Sequence, residues 1–337
     1  KPKAKALFLQ PDNSAILQAP PSRARSLPAI SPRLHCGWGC DIPVGRLPTD
    51  SLLCLQASTM LTSEDELACL PATVPLYLSD TYRWDAHTEV LGMVGTGGRQ
   101  GSETSSDKGA VVVLSATVLY PEGGGQPCDV GEIRSLEEGS SCAFKVSFVK
   151  ARDGVVFHYG EGAEFQPGQS VQVLVDGERR RRHARLHSAG HLLDSCLASV
   201  GGEFAVMEAT KGHHGEGAFV EYKGKVPEDA RKGLAADLEE EAARRIAEGG
   251  NVHVSVDTFE EAAAKCGGSL PPYIKEGSTP RMVTMAGLAC PCGGTHVSDI
   301  KEIGGLTVTG IRVKKGITRI SYGIPPALPS EGPQRSS

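Results

Sequence analysis

The sequence has 337 residues, of which 22% are charged, and a net charge of −5 at pH 7. This length provides room for about two domains with cores large enough to fold without disulfide cross-links. The acidic balance excludes a globally basic nucleic-acid binder, so any contact with nucleic acid has to use a local patch. No apolar run reaches the roughly 18 residues of a membrane span, and no P-loop motif indicates ATP use.

The first segment, residues 1–73, is rich in proline and lacks a periodic apolar pattern, so we expect it to be disordered or leader-like. Met60 is a candidate natural start, in which case residues 1–59 would be an organellar transit peptide or a product of gene-model translation. The ten cysteines have no regular spacing, which favours a reducing compartment such as the cytoplasm. Cys142 and Cys196 lie in apolar runs and are predicted to be reduced core residues.

The next segment, residues 74–177, has a strand pattern. Residues 111–120 are rich in β-branched side chains and predict one long core strand. Shorter apolar or alternating segments follow, separated by turns, and their spacing predicts a small antiparallel β-barrel. A stretch rich in glycine and serine, residues 95–108, is predicted to be a flexible insertion.

Three consecutive glycines follow the first long strand: Gly123, Gly124 and Gly125. Glycines in this arrangement allow a tight turn, or the close approach of a ligand or a second backbone. The residues alone leave both interpretations open. The polar side chains that this motif would present are Glu122, Gln126 and Asp129.

From residue 178 to about residue 199, apolar and small residues recur at helical spacing, which predicts a helix. His187 and His191 are four residues apart, so they lie on the same face of that helix. Two imidazoles placed in this way can bind one metal ion, although such a pair can also be ordinary core or surface histidines. No glutamate lies between them, so this is not the HExxH motif of metalloproteases.

A second half-site lies about one hundred residues further on, in the heptapeptide CPCGGTH at residues 290–296. Two glycines would let the backbone turn tightly enough for Cys292 and His296 to converge. Joined with His187 and His191, they would form a mixed set of nitrogen and sulfur ligands. Such a set suits Zn²⁺ best.

A cluster of arginines, Arg179–Arg182 and Arg185, lies near the start of the predicted helix. Positive charge at a helix N-terminus is disfavoured by the helix dipole, which suggests an anionic partner such as tRNA phosphates. The residues predicted to make such contacts are Arg181, Arg182 and Arg185. The alternative is a solvated charged face.

Strand and helix patterns alternate through the rest of residues 178–325, which predicts an α+β domain. The predicted elements are a hairpin (204–207 and 218–222), an amphipathic helix (227–247), a strand (251–256), a short helix (258–265), a strand leading into the cysteine turn (281–285) and a closing hairpin (306–313 and 318–322). Residues 326–337 read as a loose tail.

Four motifs carry a family resemblance: LYPEGGGQPCDVG (119–131), HSAGHLLDSCL (187–197), TKGHHGEGAFVEYKG (210–224) and PCGGTHV (291–297). In this order they resemble the editing domain of alanyl-tRNA synthetases, and the third is most similar to the free-standing AlaX-type editing proteins. The resemblance covers residues 74–325. It implies an α+β fold in which a small antiparallel β-barrel precedes a zinc-binding domain of the threonyl/alanyl-tRNA synthetase second additional domain type.

The resemblance also implies an activity, the hydrolysis in trans of a wrong amino acid from the 3′ end of tRNA(Ala). Serine is the expected amino acid, with glycine second. In this family the glycine-rich motif faces the editing site, and here Gln126, His214 and Thr295 are candidates for positioning the water or the serine hydroxyl. The alternative is a non-catalytic module with a structural zinc that binds tRNA or protein, since structural sites need the same ligands. A zinc hydrolase acting on another ester is a third reading.

Overall fold

The computed structural model describes residues 61–95 and 109–326, which all belong to one compact unit. The predicted leader over residues 1–59 and the candidate start at Met60 lie outside the described residues. So do nearly all of the predicted insertion and of the predicted tail.

The N-terminal half is the predicted β-barrel. Its elements are a helix, α1 (Glu64–Leu67), and eight strands: β1 (Val74–Pro75), β2 (Asp85–Gly95), β3 (Ala110–Leu114), β4 (Ala116–Thr117), β5 (Gly131–Ser135), β6 (Ala143–Arg152), β7 (Val155–Gly162) and β8 (Ser170–Val175). Six strands close into a barrel in the order β2-β3-β7-β6-β5-β8, with every neighbouring pair antiparallel. Closure leaves the barrel without an open edge. The predicted fold class is confirmed.

Alternating side chains fill the barrel. In β6, Phe144 and Val146 are buried whereas Lys145 and Ser147 are exposed. A bulge between Val146 and Phe148 then shifts the register against β7. The core that results is aliphatic, with Phe144 at its centre among valines and leucines of the other strands. Such a core provides a rigid base for the loops that leave it.

Two predictions in this half need correction. Residues 111–120 do not form one strand, because β3 ends at Leu114 and Val118 and Tyr120 form bonds to Arg180 and Asp129 instead of to a neighbouring strand. Cys142 is exposed rather than in the core, because it precedes the first buried position of β6. Cys196 is buried as predicted.

Residues 61–73, assigned by sequence to a disordered segment, contain the helix α1. Ser63 and Glu66 form a reciprocal capping box at its start, which satisfies two otherwise unpaired N–H groups. Leu67 is completely buried against Val111 and Phe157 on the outside of the barrel. This part of the chain is therefore packed on the barrel.

The C-terminal half is the predicted α+β domain. It contains α2 (Gly177–Val200), β9 (Glu208–His213), β10 (Phe219–Lys223), α3 (Arg231–Glu248), β11 (His253–Val256), α4 (Phe259–Lys265), β12 (Arg281–Met285), β13 (Leu288–Pro291), β14 (Thr307–Lys314) and β15 (Ile317–Gly323). One sheet has the order β14-β15-β10-β9 and a second the order β11-β12-β13. Both hairpins predicted here are present, although residues 204–207 end a 3₁₀ turn and the strand begins at Glu208. Among the described residues, no helix is long and apolar enough to cross a membrane.

The core of this domain lies between α2, α3 and the larger sheet. Leu192, Leu193 and Leu197 of α2 pack with Leu238 of α3 and Tyr222 of β10, and all five are at most 2% exposed. The long helix α2 is thereby fixed against the sheet. The N-terminal end of α2 packs against the barrel. The contacts there show what the consecutive arginines of this helix do.

Asp176 lies between β8 and α2 and caps the helix, with its carboxylate accepting from the N–H groups of Glu178 and Arg179 at 3.1 and 3.0 Å. Arg180 is completely buried and pairs with Asp129, which is also completely buried. The guanidinium additionally donates to the Thr81 carbonyl. Internal carboxylates therefore compensate part of the positive charge at this helix terminus, without an external anion.

This pair corrects the prediction for Asp129, which does not face a substrate. Its carboxylate accepts from Arg180 and from the N–H of Tyr120. Burial raises the pKa of Asp129, and the charge of Arg180 opposes that rise. The role of Asp129 is to join the glycine-rich segment of the barrel to the helix that carries His187 and His191.

Candidate metal centre

The structure brings four predicted ligands together. His187 and His191 project from successive turns of α2, and Cys292 and His296 come from the loop after β13. Their ligand atoms all lie within 4.8 Å of one another. His187 Nε2 and His296 Nε2 are 3.4 and 3.6 Å from Cys292 Sγ.

This arrangement fits a tetrahedral zinc ion. Zn–S and Zn–N bonds of about 2.3 and 2.05 Å place sulfur and nitrogen about 3.5 Å apart in a tetrahedron, which agrees with both measured separations. Within residues 61–95 and 109–326, His191 Nε2 and His296 Nδ1 are buried without a hydrogen-bond partner. Buried polar atoms without partners are rare in folded proteins. A cation bound among the four side chains would engage the nitrogen of His191 that faces them.

Burial keeps the imidazoles neutral. It lowers the pKa of His191 to about 4, and burial together with neighbouring histidines lowers the pKa of His187 and His296 well below the usual value. Metal binding requires neutral imidazole, so at pH 7 these histidines need not lose a proton first. Burial raises the pKa of Cys292, opposed by the Gly294 N–H and by the Arg281 guanidinium.

Two residues at the centre were missed by the sequence analysis. Arg281 begins β12 and donates to the carbonyls of Cys292 (2.6 Å) and Leu78 (3.1 Å), which places a positive charge beside the thiol. Cys290 lies on the other side, with its sulfur 3.4 Å from His191 Nδ1. The signals available were an arginine opening a strand that leads into the cysteine turn and a second cysteine two residues before Cys292.

Gln126 connects the barrel to the metal ligands. Its Oε1 accepts from the Thr295 N–H at 3.0 Å and lies 2.9 Å from His187 Nδ1, while its Nε2 donates to Thr295 Oγ1 at 2.9 Å. Because Oε1 can only accept, His187 carries its proton on Nδ1. The lone pair of His187 is then on Nε2, which faces Cys292. Such contacts to the far nitrogen orient metal-binding histidines.

The catalytic roles predicted for Gln126 and Thr295 stay predictions. Both side chains are completely buried. Each holds the other and His187 in place. They are positioning residues.

The glycine-rich motif is both a tight turn and a close contact. Gly124 and Gly125 have φ angles of 56° and 81°, which favour glycine. A Cβ atom at Gly125 would lie 2.3 Å from the Gly212 carbonyl oxygen, and the Gly125 carbonyl accepts from the His214 N–H at 2.7 Å. The motif therefore packs against β9 and directs Gln126 inward. In the same turn, Gly123 is partly exposed and Gly124 is exposed.

The glycine before Thr295 is needed for a different reason than the one predicted. Gly294 does not have a positive φ angle, so the turn itself does not require glycine there. A Cβ atom would instead lie 2.1 Å from His187 Cε1. The space for the His187 ring is what excludes a side chain.

His214 stacks on the ligand set, with its ring centroid 4.2 Å from that of His187. Its Nδ1 is 2.8 Å from the Tyr322 hydroxyl, which itself donates to the Leu186 carbonyl. Since the tyrosine proton is used there, His214 Nδ1 is the donor and Nε2 carries the lone pair. Burial lowers the pKa of His214 to about 3. The neighbouring His213 contacts Phe219 and the Glu216 carbonyl instead.

The predicted tRNA contacts divide into two groups. Arg185 is buried, and its guanidinium donates to the carbonyls of Glu302, Ile303 and Pro325. It is therefore a structural residue, and the prediction for it was wrong. Arg181 and Arg182 lie at the surface. Glu122 is also exposed.

Two family models match this chain. Residues 56–179 match "tRNA synthetases class II (A)", and residues 281–321 match "Threonyl and Alanyl tRNA synthetase second additional domain". The second match contains Cys292 and His296. Fold and site thus define the class, an α+β protein that joins a β-barrel to a synthetase second additional domain.

Two relatives match most of this chain. The alanine–tRNA ligase of Halobacterium salinarum is 33% identical over 262 residues, covering 77% of this chain and 27% of the ligase. The ligase of Methanoregula boonei is 32% identical over 218 residues, covering 62% of this chain and 22% of the ligase. The chain spans about a quarter of the length of these relatives. These matches agree with the resemblance of the four motifs to the editing domain of alanyl-tRNA synthetases and to AlaX-type proteins.

Proposed function

We propose that this protein is a zinc-dependent aminoacyl-tRNA deacylase that acts in trans. Its main substrate would be tRNA(Ala) mischarged with serine, and its second substrate tRNA(Ala) mischarged with glycine. The observation that carries the proposal is Gln126. Gln126 lies in a turn of the barrel domain, and its side chain forms hydrogen bonds with His187 and Thr295 of the other domain. Both domains thereby contribute to one site, which supports a shared chemical task.

The residues that would hold the ion are His187, His191, Cys292 and His296. Zinc bound there would supply positive charge that polarises an ester carbonyl or anchors the amino group of the substrate. The chain orients these ligands through Gln126, and through Arg281, whose charge favours the thiolate of Cys292. The partly exposed side chains His191 and Cys292 form the side of the cluster that a substrate reaches.

His214 is our candidate for recognition of the serine hydroxyl. Its Nε2 carries a lone pair next to the ligand set, and its low pKa makes it a hydrogen-bond acceptor rather than a proton carrier. A buried acceptor discriminates against a substrate that lacks the hydroxyl, because the acceptor then stays unpaired. This would let the site accept serine and reject alanine. An apolar activation pocket cannot make that distinction strongly, so a separate editing step is needed.

The test is deacylation of Ser-tRNA(Ala), Gly-tRNA(Ala) and Ala-tRNA(Ala) with and without a chelator. We expect loss of serine, much slower loss of glycine and of alanine because both lack the hydroxyl, and no turnover after zinc removal. His214→Ala should keep its zinc while the ratio of serine to alanine hydrolysis falls by about tenfold, the worth of one hydrogen bond. Absence of zinc-dependent serine release would refute the proposal.

One observation favours a second function, a non-catalytic tRNA-binding module. Four protein ligands complete a tetrahedral zinc site, as in structural sites. In that case the ion would support the fold alone. A zinc-loaded protein that binds tRNA(Ala) but hydrolyses none of the three esters would select this function.

A further inference from the structure

A half-buried aromatic surface lies where the barrel meets the start of α2. It consists of Tyr82, Arg83, Trp84 and Arg181, and we call it the Trp84 surface. The Tyr82 and Trp84 rings meet edge to face at 5.9 Å, and Arg181 Cζ lies 5.0 Å from the Trp84 ring. Residues 82–87 line an open hollow of about 510 Å³ beside it.

One face of the Trp84 indole is covered by α2. A Cβ atom on Gly177 would lie 3.5 Å from the ring, and Arg181 follows Gly177 by four residues. Residues at i and i+4 lie on the same side of a helix, so both cover the same face. Trp84 also lines the hollow.

The surrounding arginines are unpaired. Within the described residues, the four arginines next to Trp84 in space or sequence form no ion pair: Arg83, Arg179, Arg181 and Arg182. Four other solvent-facing arginines, Arg134, Arg152, Arg244 and Arg319, have carboxylate partners, whereas the exposed Arg312 has none among the described residues.

The nearby carboxylates do not neutralise these arginines. Asp85 accepts from the Gln172 side chain, and Asp176 is the cap of α2. Glu178 is exposed in the first turn of the helix. Asp80 and Glu302 also accept hydrogen bonds from Tyr82, so the charges around the surface are mixed, and the arginines are the groups on it that can contact an anion.

The Trp84 surface is continuous with the metal centre. Thr81 Oγ1 accepts from the N–H of the metal-ligand candidate His296 at 3.3 Å, and the Tyr82 hydroxyl accepts from the Ser298 N–H at 3.1 Å. Trp84 follows Thr81 by three residues, a reach of at most about 11 Å along an extended chain. A polymer whose end lies at the metal centre could therefore reach Trp84 within about two nucleotides.

We propose that the Trp84 surface binds the single-stranded 3′ end of an RNA, with a base stacked on Trp84 in the hollow that it lines and phosphates contacted by Arg83, Arg181 and Arg182. Every base has an apolar face, and stacking on an aromatic side chain next to cations is a general mode of single-strand binding. The assignment of this RNA as an aminoacylated tRNA end rests on the proposed function. The sequence alone predicted RNA contacts only for arginines of α2, and Trp84 is added by its contact with Arg181.

The first test uses fluorescence. The sequence has two tryptophans, Trp38 and Trp84, so Trp38→Phe leaves Trp84 as the only indole. We expect its emission to be quenched in a saturable way by a minihelix of the tRNA(Ala) acceptor stem with a single-stranded 3′ end. A blunt duplex of the same stem should quench weakly. Saturable binding of the minihelix without any change in emission would overturn the proposal.

The second test measures affinity by fluorescence anisotropy with the same minihelix. Trp84→Ala should weaken binding by about 5- to 100-fold, the effect of losing one stacked base, whereas Trp84→Phe should keep most of the affinity. Arg181→Ala should weaken binding and reduce the slope of log K against log salt by about one. The matched control is Arg319→Ala, because Arg319 also lies over a ring, that of Phe219, at 3.8 Å; it should bind as the wild type does.

These outcomes separate this proposal from the proposed function. Trp84-dependent binding without hydrolysis of any ester would retain the surface and reject the deacylase. Serine hydrolysis with unchanged KM and unchanged RNA affinity in a zinc-loaded Trp84→Ala variant would reject the surface alone.

Discussion

Two buried histidine sites in this molecule differ in how their polar atoms are satisfied. In the barrel, His158 is completely buried and both ring nitrogens have partners, Thr117 Oγ1 at 2.8 Å and the Val112 carbonyl at 3.0 Å. At the metal centre, His191 Nε2 and His296 Nδ1 have none among the described residues.

His183 Nδ1 also lacks a partner among the described residues, so His191 is marked as a ligand by its unpaired nitrogen together with the ligand atoms around it. The barrel site is complete within the protein, so His158 stabilises the fold and needs nothing more. Burying an unpaired imidazole nitrogen lowers the stability of the folded protein by about 1–3 kcal/mol. Binding of a ligand to that nitrogen can offset this loss. A centre in which such an atom, His191 Nε2, faces a thiol and two further buried imidazoles is suited to a cation.

The largest effect should come from removing the sulfur ligand. We expect Cys292→Ala to reduce bound zinc from about one ion per chain to near zero and to slow serine release by more than about 100-fold, because three imidazoles bind the ion more weakly. The matched control is Cys142→Ala, an exposed cysteine, which should retain both. Zinc content by mass spectrometry with circular dichroism decides the outcome. Full zinc occupancy in Cys292→Ala would remove the distinction between the two histidine sites.

The next effect concerns the connection between the two regions. Asp129→Asn leaves Arg180 buried without a counter-charge and should lower the free energy of unfolding by about 3–5 kcal/mol. Glu221→Gln provides the comparison, because its pair with Arg319 is largely exposed and should contribute about 0–1 kcal/mol. Urea denaturation measures both. Equal effects would mean that the Arg180–Asp129 pair does not join the domains as described.

Loss of the orienting amide should weaken zinc binding without unfolding the protein. Gln126→Leu removes the acceptor for His187 Nδ1 and the bonds to Thr295, and should lower zinc affinity by about 10- to 100-fold. Gln169→Leu is the control, because Gln169 bonds to Ser135 and Glu137 away from the centre. Competition with a chromogenic chelator measures the affinity. Unchanged affinity in Gln126→Leu would contradict the positioning role.

The smallest effect is expected at His158, whose ring nitrogens both have hydrogen-bond partners. Thr117→Val removes the partner of His158 Nε2 and the acceptor for the Leu119 N–H, which should lower the free energy of unfolding by about 1–3 kcal/mol. Zinc content should not change. Thr210→Val, at an exposed hydroxyl, should cost less than about 0.5 kcal/mol. Zinc loss in Thr117→Val would show that the two histidine sites are coupled.

The sequence predicted the parts of this molecule that depend on local patterns. Strand alternation indicates the barrel, and the four-residue spacing of His187 and His191 needs only helix geometry. Contacts between distant residues could not be predicted in this way. Gln126 and Thr295 are 169 residues apart, and only the packing of the two domains shows that both are completely buried.

The same limit explains the arginine run. Sequence places Arg180, Arg181 and Arg185 on one helix but does not show which side faces protein. Packing against Asp129 and the Glu302 carbonyl buries two of them and leaves Arg181 over Trp84. An anionic partner was inferred for the whole cluster, whereas only its exposed members are free to meet one.

The most direct test of the central claim, that these four side chains form a zinc centre, is X-ray absorption at the zinc edge on the full chain. Our account predicts a shell of three nitrogen atoms at about 2.0–2.1 Å and one sulfur atom at about 2.3 Å, with the sulfur lost in Cys292→Ala. A shell of oxygen and nitrogen atoms without sulfur in the wild-type protein, or zinc that does not bind stoichiometrically, would contradict it.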